Sequence, residues 1–243
     1  AGLSDRWPVV AEPFRQWVIE DEFAGDRPPL EDIDVIITDD IAPYEMTKLR
    51  LLNAGHTCLA YLSPLYGYVR VDEAMADPTI RQFVHDVLHL EAKPTLPEAA
   101  GIDLDDYIAS LVERFSNPGV GDQIARLCLD GSSKFPKFLI PTVRAQLERD
   151  GDVTHSALAL AGWCEYLTAG RNDRANLAAD PRLDEALRYA TRSVDDPAAF
   201  LDFTEVFGDL RDSRRFVDAF TAHLSTLRSS GVESALAALF SRP

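Results

Sequence analysis

The sequence predicts a mainly α-helical domain with a little β structure at its N-terminal edge, and three observations carry that expectation. Apolar residues recur at helical spacing through most of the chain beyond residue 43, punctuated by Asp77-Pro78, Asp103 and Asn117 to Gly121. The β-branched run Ile33 to Thr38 (IDVIIT) lies near the start, beside short apolar runs at Val9-Val10 and Gln16 to Glu20. The glycine pair Gly119 and Gly121 has no preceding strand and no third glycine, so it is not a dinucleotide-binding loop.

Taken in order, residues 1–8 read as a linker or the stub of a preceding segment, and residues 9–243 as one domain. The runs at Val9-Val10 and Gln16 to Glu20 flank Pro13 and read as extended pieces. Gly25 to Pro29 (GDRPP) is a turn-rich loop. Pro43 in a first turn with Glu45 nearby starts a helix, which is expected to end near Ser63-Pro64 because the residue before proline avoids helical geometry. Further helices are expected from Asp77 to about Ala92, Asp103 to about Phe115, Phe135 to Arg149 and Thr154 to Ala169. Four more follow, over Pro181–Arg192, Ala198–Phe207, Asp212–Ser229 and Val232–Ser241. There is no fixed-period repeat and no low-complexity segment.

The 243 residues suffice for a sizeable core. With 24 basic against 40 acidic residues the formal net charge is −16, which repels phosphate backbones and anionic membranes. Nucleic acid and membrane are therefore not the expected partners. Cys58, Cys128 and Cys164 are odd in number and widely spaced, which argues for a reducing compartment and against a disulfide framework or zinc site. No apolar run is long enough to span a bilayer, and AGLSDRW has no signal-peptide shape, so the expected location is cytoplasmic.

The stretch Lys48 to His56 (KLRLLNAGH) draws most attention. With Lys48 at the origin of an α-helical wheel, His56 falls at about 80° and Asn53 at about 140°, and Leu52 and Leu59 lie on the same side. A cation, an amide and an imidazole thus share a face with leucines that favour burial, and burial without partners costs several kcal/mol. Gly55, next to His56, would let another group approach the backbone closely. Plainer readings stand beside this one. Lys48 can pair with Glu45, Asn53-Ala54-Gly55 can be a helix C-cap, and His56 can be a satisfied core histidine.

Arg126 and Lys134 flank the Gly131-Ser132-Ser133 turn, which would present Lys134 toward a cleft; surface cations or ion-pair members are the alternative. Two cations in one pocket of an acidic chain would favour a hydroxyl-rich or carboxylate-bearing substrate. His85 to His89 (HDVLH) resembles the zinc-protease pattern but has Asp in place of the Glu base and no obvious third ligand, so a solvent-facing helix is the better reading. No GxSxG and no usefully spaced Cys/His pair supports nucleophilic hydrolysis. Trp7, Trp163, Tyr61, Tyr66 and Tyr68 read as packing residues, with Trp17 the candidate exception, and residues 180–243 carry no nameable chemistry.

The pattern Lys-x4-Asn-x2-His at Lys48, Asn53 and His56 resembles the signature of the polyol-specific long-chain dehydrogenases, the family of mannitol 2-dehydrogenase and fructuronate reductase. EPFRQWVIED (Glu12 to Asp21), APYEMTKLRLLNAGH and DGSSKFPKFLIP (Asp130 to Pro141) resemble it too, and the likeness runs from Trp7 to beyond Trp163. It implies a multi-helical C-terminal substrate domain like that of 6-phosphogluconate dehydrogenase, separated from its own N-terminal Rossmann domain. By the same resemblance Lys48 is the general acid/base, Asn53 half of an oxyanion site, and His56 the group that orients a neighbouring hydroxyl. Arg126 and Lys134 then contact substrate oxygens. The implied reaction interconverts a polyol or aldonate and a ketose or ketouronate with NAD or NADP, bound mainly by the missing domain, and without a metal. Acid–base work by a lysine calls for burial among apolar groups and other cations, which favour the neutral amine. The alternative is a non-catalytic helical module that retains the pocket.

Overall fold

Capping side chains set several of the helix boundaries where the sequence places them. The computed structural model describes residues 4, 6, 7, 9 and 11–241. Most of the expected linker at 1–8 lies outside these, as does Val10; Val9 is described and belongs to no strand. Strands β1 (Val18–Glu20) and β2 (Ile36–Thr38) pair in parallel, Val18 opposite Ile36. The front of the expected IDVIIT strand instead belongs to a 3-10 turn, Leu30–Ile33, closed by Asp34 in the left-handed region at φ 66°. Two parallel strands form an unusually small sheet, because parallel strands normally sit inside larger sheets covered on both faces.

Helix α1 (Ala42–Thr47) runs through a π-helical turn, Lys48–Asn53, into α2 (Ala54–Tyr66). The rod therefore passes the expected stop at Ser63-Pro64. Pro64 cannot donate to the carbonyl of Ala60, and the Cys128 thiol donates to that oxygen instead, at 3.1 Å. Gly67, at φ 103°, ends the helix.

Helix α3 (Val71–Ala76) leads to α4 (Pro78–Asp86), where the Asp77 carboxylate accepts from the N–H of Thr79 at 2.7 Å and of Ile80 at 3.4 Å. A second π turn, Val87–Ala92, follows. Helix α5 (Leu104–Phe115) is capped by Asp103, which accepts from Asp105 and Asp106. Helices α6 (Ile124–Leu127), α7 (Gly131–Phe138) and α8 (Ile140–Glu148) come next. The expected turn at Gly131-Ser132-Ser133 is instead the first turn of α7, and the single helix expected over Phe135–Arg149 is two helices that break at Leu139.

Helix α9 (Thr154–Gly170) is buried along most of its length and packs between α2 and α12. After α10 (Leu183–Arg192), the helix expected over Ala198–Phe207 is a 3-10 segment, Pro197–Asp202, and the short α11 (Thr204–Phe207). The last two expected helices meet as α12 (Arg214–Phe240), bent where Gly231 takes φ 77°.

The core is one continuous cluster. At its centre α2 and α9 approach closely because position 162 is glycine: a Cβ there would stand 2.8 Å from Leu62 Cδ2. Tyr61, Phe135, Trp163, Phe200 and Phe207 pack around this crossing with ring centroids 4.9–6.2 Å apart. All three cysteines are free and buried. Among the described residues no helix is long and apolar enough to cross a membrane.

Candidate active site

The π turn changes the geometry that an α-helical wheel assigns to Lys48, Asn53 and His56. Its hydrogen bonds reach back five residues, as in Ala54 N–H to Leu49 C=O, and it turns less per residue than an α-helix. Lys48 and Asn53 are five apart, so the wide turn leaves Asn53 nearer the lysine's side of the helix than the α-helical wheel puts it. Side chains on either side hold the turn. Arg50, buried on the opposite side, donates to the hydroxyls of Thr142 and Thr95, each at 2.7 Å. The Thr57 hydroxyl donates to the Asn53 carbonyl at 2.8 Å. Helix continues through Asn53-Ala54-Gly55, so that stretch is no C-cap, and no ion pair among the described residues joins Lys48 to Glu45.

Lys48 is exposed, Asn53 and His56 are half-buried, and Leu59 is in the core. The expectation that Lys48 is buried beside apolar groups is therefore not met within this chain. His56 stacks on Phe115, with ring centroids 4.2 Å apart and 26° between planes. Gly55 makes room for that contact, since a Cβ at 55 would lie 3.0 Å from the Phe115 ring. Burial pushes the His56 imidazole down to about 4; Asp122 opposes the shift while Arg126, Arg114 and Lys134 add to it. His56 is consequently a neutral hydrogen-bonding group at neutral pH.

A small cavity opens at His56 and Leu52, and its charged lining residues are Glu12, Asp72, Asp122 and Arg114. Arg126 sits on α6, where its guanidinium grips the Asp122 carboxylate through both Nε, at 2.7 Å, and Nη2. Each partner stabilises the charged form of the other, so the Arg126 guanidinium is raised and the Asp122 carboxyl lowered from its ordinary range. Lys134, on α7, donates to the Leu127 carbonyl at 3.0 Å, and burial lowers its ammonium. Both cations thus stand near enough to His56 to be felt there. Tyr61 braces the α6–α7 junction: its hydroxyl donates to the Cys128 carbonyl at 2.9 Å, and a side chain at Gly131 would collide with it. Asp180 fastens the same junction by accepting from the Ser132 N–H at 2.8 Å and the Ser132 hydroxyl at 2.5 Å.

Asp122, Phe115 and the Glu12–Arg114 pair were not singled out in the sequence. Asp122 has a local signal, since it stands four residues before Arg126. Arg114 and Glu12, whose Nη2–Oε2 distance is 2.9 Å, are far apart in the chain and leave none.

His85 and His89 stack on each other at 5.3 Å on a half-exposed face, paired with Asp86 and Asp105. Elsewhere Glu91, Asp152 and His155 bring ligand atoms within 4.8 Å of one another. Their oxygens are already in use at the start of α9. Glu91 accepts from the N–H of His155 at 2.6 Å and of Ser156 at 3.0 Å, and Asp152 accepts from the Thr154 N–H at 2.9 Å. This is helix capping by two carboxylates.

Comparisons with known proteins bear on the family and the fold. A profile described as the mannitol dehydrogenase C-terminal domain matches residues 40–228. Mannitol dehydrogenase 2 of Saccharomyces cerevisiae is 40% identical over 238 residues, which is 97% of this chain and 47% of the relative. Mannitol 2-dehydrogenase of Aspergillus fumigatus is 38% identical over 241 residues, 97% of this chain and 48% of the relative. The ternary complex of Pseudomonas fluorescens mannitol 2-dehydrogenase with NAD and D-mannitol superposes with a TM-score of 0.87 at 39% identity, covering 98% of this chain and 49% of the other. A substrate-free D-sorbitol dehydrogenase gives a TM-score of 0.83 at 33% identity, over 92% and 46%. The chain spans about half the length of these relatives. It belongs to the mannitol dehydrogenase C-terminal domain family.

Proposed function

We propose that this chain is the substrate-binding and acid–base half of an NAD- or NADP-dependent oxidoreductase that interconverts a polyol and a ketose. What supports the proposal is the π turn over Lys48–Asn53, three residues before His56, in a chain of this family. In oxidation the neutral Lys48 amine takes the proton of the reacting hydroxyl. The Asn53 amide donates to the oxygen as it gains charge, one half of an oxyanion site. His56 exchanges a hydrogen bond with a neighbouring hydroxyl and fixes which carbon is presented. Arg126 and Lys134 bind further substrate oxygens. The nicotinamide ring supplies the hydride acceptor, and in reduction every transfer reverses, with Lys48 returning the proton to the alkoxide. These steps call for no metal.

Among the described residues no strand runs into a glycine-rich turn and a helix, so dinucleotide binding falls to the other half of the intact protein. Two features favour docking against such a Rossmann half. The β1–β2 pair is a fragment of parallel sheet with Trp17 beside it 57% exposed. Lys48 is also open to solvent here, and closure by a second domain would give it the burial that lysine base chemistry requires.

The test is oxidation of NADH and NADPH with fructose, fructuronate, tagaturonate and xylulose, by the intact protein and by this chain alone. The expected result is turnover by the intact protein and none by the chain. Turnover by the chain alone, or none by the intact protein on any ketose, contradicts the proposal.

A further inference from the structure

Each carboxylate that lines the His56 cavity has its own arginine. Asp122 is held by Arg126 through two nitrogens. Glu12 is held by Arg114, with Nε 3.2 Å from both oxygens and Nη2 2.9 Å from Oε2. Asp72 is held by Arg70, whose Nε and Nη2 both lie 3.0 Å from Oδ1. Of the three arginines only Arg114 itself lines the cavity, and Arg70 also lies 3.9 Å from Glu73, so the lining is polar and weighted to carboxylates that are paired from outside it. Asn117 adds a neutral amide.

We propose that Asp122 is a specificity-determining residue: by gripping Arg126 it turns the strongest cation near His56 into a hydrogen-bond donor without net charge, and so selects uncharged polyols and ketoses over sugar acids. This inference rests on the proposed reaction and names its substrate class. A guanidinium has five N–H donors, and Asp122 engages only Nε and Nη2, so Arg126 keeps donors for neutral oxygens. Sugar hydroxyls accept from those donors and also donate to the outer lone pairs of the carboxylates. A substrate carboxylate does neither. It would have to displace Asp122 from a two-point grip while facing Glu12 and Asp72. His56, half-buried and neutral, offers it no charge, and Lys134 already donates to the Leu127 carbonyl.

The experiment compares kcat/KM for fructose and fructuronate in the intact protein and its Asp122→Asn variant, with Asp122→Glu as the conservative control. The wild type is expected to prefer fructose. Asp122→Asn should lower the fructose-to-fructuronate ratio by about tenfold, the scale of one freed charge-assisted contact. Asp122→Glu should keep the wild-type ratio. A ratio unchanged in Asp122→Asn while circular dichroism shows the fold intact, or a wild type that prefers fructuronate, overturns the inference. Titration of the His56 ring resonances of the chain itself with D-mannitol and with D-mannonate reads recognition without turnover. If no ketose is reduced, the reaction assignment falls and this titration decides. A response to mannitol alone supports selection for neutral ligands, and a response to mannonate, or to neither, overturns it.

Discussion

Lys48–Asn53 and Val87–Ala92 are both π-helical turns of six residues set inside longer helices, and they put the same backbone to opposite uses. The first leaves its polar side chains toward solvent: Lys48 is exposed and Asn53 half-buried, just before His56 in the chain. The second turns a charge inward. Glu91 is fully buried and accepts from the N–H groups of His155 and Ser156 and from the Ser156 hydroxyl, so it closes the start of the central helix α9. An added residue in a helical turn re-aims a side chain without ending the helix. Under the proposed reaction one turn spends that freedom on reactive groups and the other on stability, and their substitutions should separate accordingly.

The largest structural effect is expected at the inward turn. Glu91→Ala leaves two N–H donors and a hydroxyl at the head of α9 without their acceptor and should cost about 3–5 kcal/mol of stability, measured by denaturant unfolding. A loss below 1 kcal/mol would mean that the capping reading is wrong. At the outward turn, Asn53→Ala should leave the melting temperature nearly unchanged. It should lower kcat of the intact protein by about 10²-fold, as expected for one lost oxyanion donor. An equal fall in stability would erase the contrast between the two turns.

A smaller effect is expected from His56. Its folded-state value of about 4 lies below the ordinary 6.5, so between those values the unfolded chain binds a proton that the fold refuses. The contribution is complete above pH 6.5 and is lost as the pH falls toward 4, amounting to about 3 kcal/mol. His56→Asn should lack this part of the acid sensitivity, and Phe115→Leu should weaken it by uncovering the ring. Melting curves of all three proteins at both ends of that window check this, and parallel pH profiles would contradict it.

What the sequence made legible was local. Asp77 and Asp103 cap helices through the N–H groups two and three residues on, so their neighbours alone reveal them. The helical class and the N-terminal strands could be read in advance. The π turns could not, because distant anchors hold them: Arg50 reaches Thr95 and Thr142, and Glu91 reaches α9. Pro64 misled for the same reason, since the thiol that replaces its missing N–H comes from Cys128. The reading of Arg126 as a surface cation or ion-pair member left its partner unnamed, although Asp122 stands four residues away.

The central claim is that the outward turn carries the acid–base group, and Lys48→Ala in the intact protein tests it most directly. The account predicts a fall in turnover of about 10²–10⁴-fold, the range for a lost general acid–base group. In the chain by itself, where the side chain is exposed, the melting temperature of Lys48→Ala should stay within about 1 °C of wild type. Turnover close to wild type, with the same fold and the same substrate, would contradict it.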